Sequence, residues 1–265
     1  MAEAIDLSLD LPPLLSGHSV VPPMEPVGAA EAALRDGKAE AGDVFWSCDT
    51  DRIAVTVVLE PEVSRPRTQE MLFALMVAAA DAVGALGPPE LAFTWRWPNL
   101  FYANGARVGT AHLRASAGEN EEGAPDWLLV GLDLQLKPHP SVEPGSAPDR
   151  TSLWDEGAVD LDTTQMIASL SRHFLTWLHR WESDGFRPIH EAWLFRCDGY
   201  KQDVTIDAPG SGARLTGRFL GLSETGDLVV KPVAPQDGEA RSLPLLDHLA
   251  AGHTGAVPVP PAKDT

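Results

Sequence analysis

Thr94-Trp-Arg-Trp-Pro-Asn-Leu-Phe-Tyr-Ala-Asn-Gly-Ala-Arg-Val-Gly-Thr110 carries a strand, a turn and a returning strand within one short stretch. Asn104-Gly105 between two apolar runs predicts a tight hairpin, because both residue types tolerate positive φ and that turn twist matches paired strands. The strand before it delivers Arg96 and Asn99 at its end, and Arg107 returns opposite them. Gly109 leaves room for a ligand to approach backbone. A planar guanidinium beside an amide and an open backbone suits an anionic or carbonyl-bearing ligand. A plain surface hairpin after a strand-end Trp-Pro is the competing reading.

The neighbouring sequence extends this unit into a domain. Alternation over Arg52–Glu60 predicts a strand that stops at Pro61, where the backbone donor is lost. Thr68 is placed to cap a helix whose apolar residues Met71, Leu72, Leu75, Met76, Ala79 and Val83 recur at helical spacing. Extended stretches follow at Glu90–Trp97, Ala106–Ala115 and Trp127–Lys137, with a polar loop at 118–125 and a second loop at 138–149. Asp162-Thr-Thr-Gln165 forms a capping box that starts a long helix ending at Gly185, and Pro188 opens a shorter one. Past Cys197 short strands at 203–207, 215–222 and 228–233 predict a small barrel. The expected organisation is a Pro-rich arm at 1–24 with one short helix after it, a main domain at 25–196, a barrel at 197–248 and a disordered tail at 249–265.

The 265 residues hold 20 basic and 38 acidic side chains, a net charge of −18 that repels phosphate backbones and argues against nucleic acid as a partner. No apolar run reads as the roughly 20 residues of a membrane span, and Glu3, Asp6 and Asp10 suit no targeting segment, so a cytoplasmic protein is expected. Cys48 and Cys197 read as reduced thiols.

The Thr94–Thr110 stretch resembles the hallmark of the biotin protein ligases, Lys-Trp-Pro-Asn-Asp, then a hairpin, then Lys before a small residue and glycine. Later features keep the family's order. Trp127-Leu-Leu-Val-Gly-Leu-Asp-Leu-Gln-Leu136 is similar to its Gly-Ile-Gly-Ile-Asn strand. Trp154–Asp162 and the helix beyond resemble its helical part, and Gly217–Leu228 its C-terminal strand-turn-strand. The resemblance covers about residues 40 to 235. It implies an α/β (α+β) fold with a mixed, mostly antiparallel sheet, related to class II synthetases, plus a small SH3-like β-barrel. It implies two-step chemistry: an acid attacks ATP, with Mg²⁺ shielding the phosphates, and a carrier-domain lysine then displaces AMP. It also implies a biotin-like or lipoate-like acid as substrate, a carrier domain as protein partner and no resident metal, and leaves a homodimer open.

Carried over position by position, the resemblance makes Arg107 the catalytic cation. Trp46, Arg96, Trp97, Asn99, Gly109, Thr110, Gly131 and Asp133 become ligand-binding residues. The departures fall where ligand binds. The family's arginine-rich glycine loop belongs just ahead of Trp46-Ser47, where this chain has Lys38-Ala-Glu-Ala-Gly-Asp-Val-Phe45. Glu40 and Asp43 stand in place of arginines, and carboxylates near a triphosphate cost energy. Leu100 replaces the hallmark Asp, Arg96 and Arg107 replace lysines, and Asp133 and Gln135 replace the later Gly and Asn. Two readings stay open: a divergent ATP-dependent acyl ligase, and a non-catalytic binding or accessory module on the same fold. A biotin-responsive repressor is not expected, since no helix-turn-helix precedes the ligase-like region.

Other signals read as structural. The histidine spacing fits no metal site, and a Cys48 or Cys197 nucleophile with His112 or His190 lacks an orienting group. Trp95 and Trp97, like Trp177 and Trp181, share a face and read as core.

Overall fold

A computed structural model describes residues 9–138, 147–209, 213–233, 238–251 and 255–259. The expectations for residues 1–8, most of the 138–149 loop and the last residues of the tail lie outside that range. The main sheet has seven strands in the order β1-β2-β3-β7-β6-β5-β4. They are β1 Ser16–Val20, β2 Asp43–Ser47, β3 Arg52–Leu59, β4 Phe93–Arg96, β5 Leu100–Ala103, β6 Ala106–Ala115 and β7 Leu128–Gln135. Only β1 and β2 run parallel, and their crossover is α1, Pro26–Arg35. Every other pairing is antiparallel, as hairpins and short returns allow. The segment read as an arm thus supplies the sheet's edge strand.

The Asn104-Gly105 hairpin forms as its residues dictate, with both at positive φ, 48° and 89°. The helical side of the sheet carries α3, Glu70–Leu86, backed by α4, Thr163–Asp184, and α5, Arg187–Phe195. Thr68 does not cap α3. It closes the one-turn α2, Arg65–Thr68, where its hydroxyl donates to the Arg65 carbonyl. Asp162 does cap α4, accepting from the amides of Thr164 and Gln165, and Gly185 follows the helix at φ 72°.

Arg65–Leu86 is long and apolar enough to cross a membrane, contrary to the expectation from sequence, and its most apolar window is 72% buried. Its side chains pack inside the protein: Leu72 through Ala79 are fully enclosed between the sheet and α4 and α5. That enclosure explains the nearly uniform apolarity of a helix with no solvent face.

A second antiparallel sheet follows in the order β11-β10-β9-β8-β12, from β8 Asp203–Asp207, β9 Arg214–Leu222, β10 Leu228–Pro232, β11 Arg241–Leu243 and β12 Val257–Pro258, with α6 at Leu245–Ala251. The tail expected to be unstructured contributes β12. Ala256 is fully buried and its amide donates to the Trp97 carbonyl, so this Pro-rich piece is held by backbone bonds that composition does not reveal.

Candidate ligand-binding face

Directly opposed residues in antiparallel strands share a sheet face, so register sorts the expected residues. One row, Ile53–Leu134–Gly109–Phe101–Trp95, faces the helices. The next, Ala54–Asp133–Thr110–Leu100–Arg96, faces the other way, as do Thr56–Gly131–His112 and the pair Tyr102–Arg107. This second face meets α1 over β2, β3 and β7, and Arg114 on β6 pairs with Glu31 of α1. Arg96, Arg107, Thr110, Gly131 and Asp133 therefore lie on one face.

The other four expected residues do different work. Trp97 is fully buried and its indole N–H donates to the Gly226 carbonyl at 3.0 Å. Trp46 is 3% exposed and packs in the helical-side core. Asn99 donates to the Ala111 carbonyl at 2.6 Å and accepts the Ala111 amide at its own carbonyl, pinning the strand-end turn to β6. Gly109 serves the neighbouring strand, since a Cβ there would stand 2.1 Å from the Asp133 carbonyl oxygen.

Three cations on the face have partners, the first being Arg114 on β6, 2.9 Å from Glu31. Arg96 lies 3.5 Å from Asp198 and 4.0 Å over the Tyr102 ring. Arg52, at the start of β3, donates from both terminal nitrogens to Glu25, the residue just ahead of α1, at 3.1 and 2.8 Å, and also bonds Asp133. The Glu25 bond, supported by Asp133, raises the Arg52 pKa further above its ordinary value. Burial pushes the Asp133 carboxyl up while Arg52 opposes the shift. Arg107 makes no ion pair or side-chain hydrogen bond among the described residues, and its backbone is fixed by bonds to Asp149 and Thr151. Arg150, set beside it by a parallel bridge, is likewise without a side-chain partner among the described residues, so these two are cations on this face left for a ligand.

His112 sits over Gly131, with its Nε2 3.0 Å from the Thr56 hydroxyl. Burial, helped by the Arg114 charge, pushes its pKa down to about 4, so the ring is neutral at pH 7. Sequence reasoning passed over Arg52, Thr56 and His112 as site residues. The signal was present: Arg52 and Thr56 are the polar positions on one side of an otherwise apolar alternation. Cys197 is buried, and that burial pushes its thiol pKa well up.

The segment ahead of β2 is committed to the fold. Lys38 pairs with Asp36, and the amides of Lys38, Glu40 and Gly42 donate to Ala33, Asp43 and Val58. Asp43 is 6% exposed and accepts from His18, at the Val58 end of the sheet, away from Arg52. The Asp43 carboxylate is therefore a buried anchor at the opposite end of the same sheet face from Arg52. Only Cys48–Asp51 join β2 to β3.

A mixed, mostly antiparallel sheet with helices on one side, a polar face on the other and a small appended β-sheet defines a ligase-type fold. The model of the biotin/lipoate A/B protein ligase family matches residues 11–195, and the chain belongs to that family. It is 28% identical over 189 residues to the biotin–[acetyl-CoA-carboxylase] ligase of Paracoccus denitrificans, covering 70% of this chain and 76% of that protein. Among solved structures it is similar to a biotin protein ligase-like protein of unknown function from Silicibacter sp. TM1040, with TM-score 0.78 and 31% identity over 91% of this chain and 99% of that one. The Aquifex aeolicus biotin protein ligase solved with biotin and ATP shares the fold, with TM-score 0.63 and 16% identity over 86% and 98% of the two chains.

Proposed function

We propose that this protein binds a small carboxylic acid on the open face of its main sheet, with Arg107 as the cation that receives the carboxylate. The observation that carries this reading is that Arg107, alone among Arg52, Arg96 and Arg107, has no carboxylate partner among the described residues. Thr110 and Asp133 beside it supply further polar contacts, and Gly131 keeps the neighbouring strand low. Family membership supports an acid of the biotin or lipoate class and a carrier domain as protein partner, acting in the cytoplasm. The committed segment ahead of β2 favours binding without adenylation, so the chain acts as a binding or accessory module.

The adenylating ligase is the second reading, favoured by the match to the Paracoccus denitrificans ligase. A thermal-shift titration with biotin, lipoate and octanoate, each with and without Mg·ATP, separates the two, because a ligand of the native state raises its melting temperature. The module reading expects a shift with an acid and no increment from Mg·ATP. A larger shift with Mg·ATP, and pyrophosphate release, establishes the ligase. Arg107→Ala is expected to abolish the acid's shift while leaving the apo melting temperature unchanged. A collapse in apo stability instead assigns Arg107 to the fold.

A further inference from the structure

Arg52 already holds a carboxylate. Its guanidinium faces Glu25 with two parallel N–H···O bonds, the geometry with which arginine reads a ligand acid. Its Nε is buried and has no hydrogen-bond partner, so one donor of the fork is unspent. Glu25 is weakly placed to keep this position, since its side chain is 53% exposed and it ends the Val21–Glu25 connection, where Val21 and Met24 also lie largely in solvent.

The position of Arg52 relative to Arg107 gives the pair a chemical meaning. Arg52 opposes Gln135 on β7, and Arg107 lies on β6 two residues before Gly109, which opposes Leu134. The two arginines therefore stand at similar heights on strands separated by β7. Two strand spacings set them roughly 10 Å apart across the face. Thr110 and Asp133 lie on the face beside that span.

Resting on the small-acid reading above, we propose that Arg52 is a second ligand-reading residue. The ligand is an acid whose far end carries another hydrogen-bond acceptor, a carboxylate or a ring carbonyl, at a reach of about 10 Å. One end meets Arg107 and the other displaces Glu25 from Arg52. Glu25 is a built-in stand-in for the far acceptor: beside Asp133 it fills the outer side of the Arg52 fork while the site is empty, and it sets a threshold that acids ending in a bare alkyl chain cannot cross. Removing a competitor that fills the position nine-tenths of the time tightens a ligand about tenfold.

The test is calorimetric titration of the full chain with biotin, suberate and octanoate, the first two bearing a far acceptor and the third none. Glu25→Gln is expected to tighten biotin or suberate about tenfold and leave octanoate unchanged. Glu25→Gln/Arg52→Gln, which neutralises both partners and leaves Asp133 half exposed, is expected to abolish the difference between suberate and octanoate; its circular-dichroism melt reports folding. If octanoate and suberate bind Glu25→Gln with equal affinity, the role of Arg52 is overturned while the small-acid reading stands. If neither the wild type nor Glu25→Gln binds any of the three, both fall.

Discussion

The Trp97 indole nitrogen lies 3.0 Å from the Gly226 carbonyl oxygen, so the hallmark tryptophan of the main sheet is bonded to a turn of the C-terminal sheet. Other contacts tighten the same junction: a Cβ on Gly226 would stand 2.2 Å from the Phe73 ring, and one on Gly255 would stand 2.6 Å from the Trp97 carbonyl oxygen. Trp97 is a fastener between the two sheets.

Trp97→Phe keeps most of the buried ring but leaves the Gly226 carbonyl without its donor. The expected cost is about 1–3 kcal/mol, a melting-temperature loss of roughly 2–12 °C for a chain of this size. Acid affinity of the folded fraction should be unchanged, which calorimetry checks against a melting curve. A weakened acid at unchanged stability would return Trp97 to the ligand site.

Gly131 is the tightest point of the open face. A Cβ there would lie 2.2 Å from the Val55 carbonyl oxygen and 2.3 Å from the His112 ring, and the former is strand backbone that cannot give way. Gly131→Ala is expected to lower stability by about 1–3 kcal/mol in a urea titration. Adding His112→Ala should recover only part of the loss, because the Val55 contact persists.

His112 makes stability depend on pH in a defined direction. Its pKa falls from an unfolded value of 6.5 to about 4 in the folded protein, so the unfolded chain binds the extra proton first. The neutral ring's contribution is complete above pH 6.5 and is lost progressively as pH falls toward 4. The full shift corresponds to at most about 3 kcal/mol. His112→Gln should flatten that part of the profile, measured as the difference in urea midpoints between pH 7 and pH 4.5. Parallel profiles for the two proteins would remove His112 as the source.

Asp43→Arg tests whether the carboxylates ahead of β2 oppose nucleotide. The variant loses the His18 contact and the bond to the Glu40 amide, both at a buried position. A stability loss of about 2–4 kcal/mol is expected, with no gain in ATP affinity by calorimetry. Tighter ATP binding would show that this end of the sheet does face the phosphates.

Much of the main sheet was legible because its residues act locally. Asn104-Gly105 makes its own turn, Asp162 caps its own helix, and the Arg52–Leu59 alternation separates two faces without help from elsewhere. The family hallmark pointed to the hairpin and the strands beside it. It did not assign faces, because that depends on register: Gly109 falls on the helical side only through its pairing with Leu134 and the irregularity between Phe101 and Tyr102. The pairing of Glu25 with Arg52 was hidden for a similar reason, since partners 27 positions apart meet only once the β1–α1–β2 crossover has folded. The ordered end of the chain was missed because β12 is held by backbone bonds, which leave no mark on composition.

The short Cys48–Asp51 join has a consequence in time. Ser47 and Asp49 close it with bonds to the amides of Asp49 and Asp51, so among the described residues this join itself has no spare chain to fold down over a bound molecule. Binding that waits on no movement of this join is a single encounter, so its observed rate should climb linearly with acid concentration, and levelling off would reveal a segment that closes elsewhere. Residence is then set by the contacts alone.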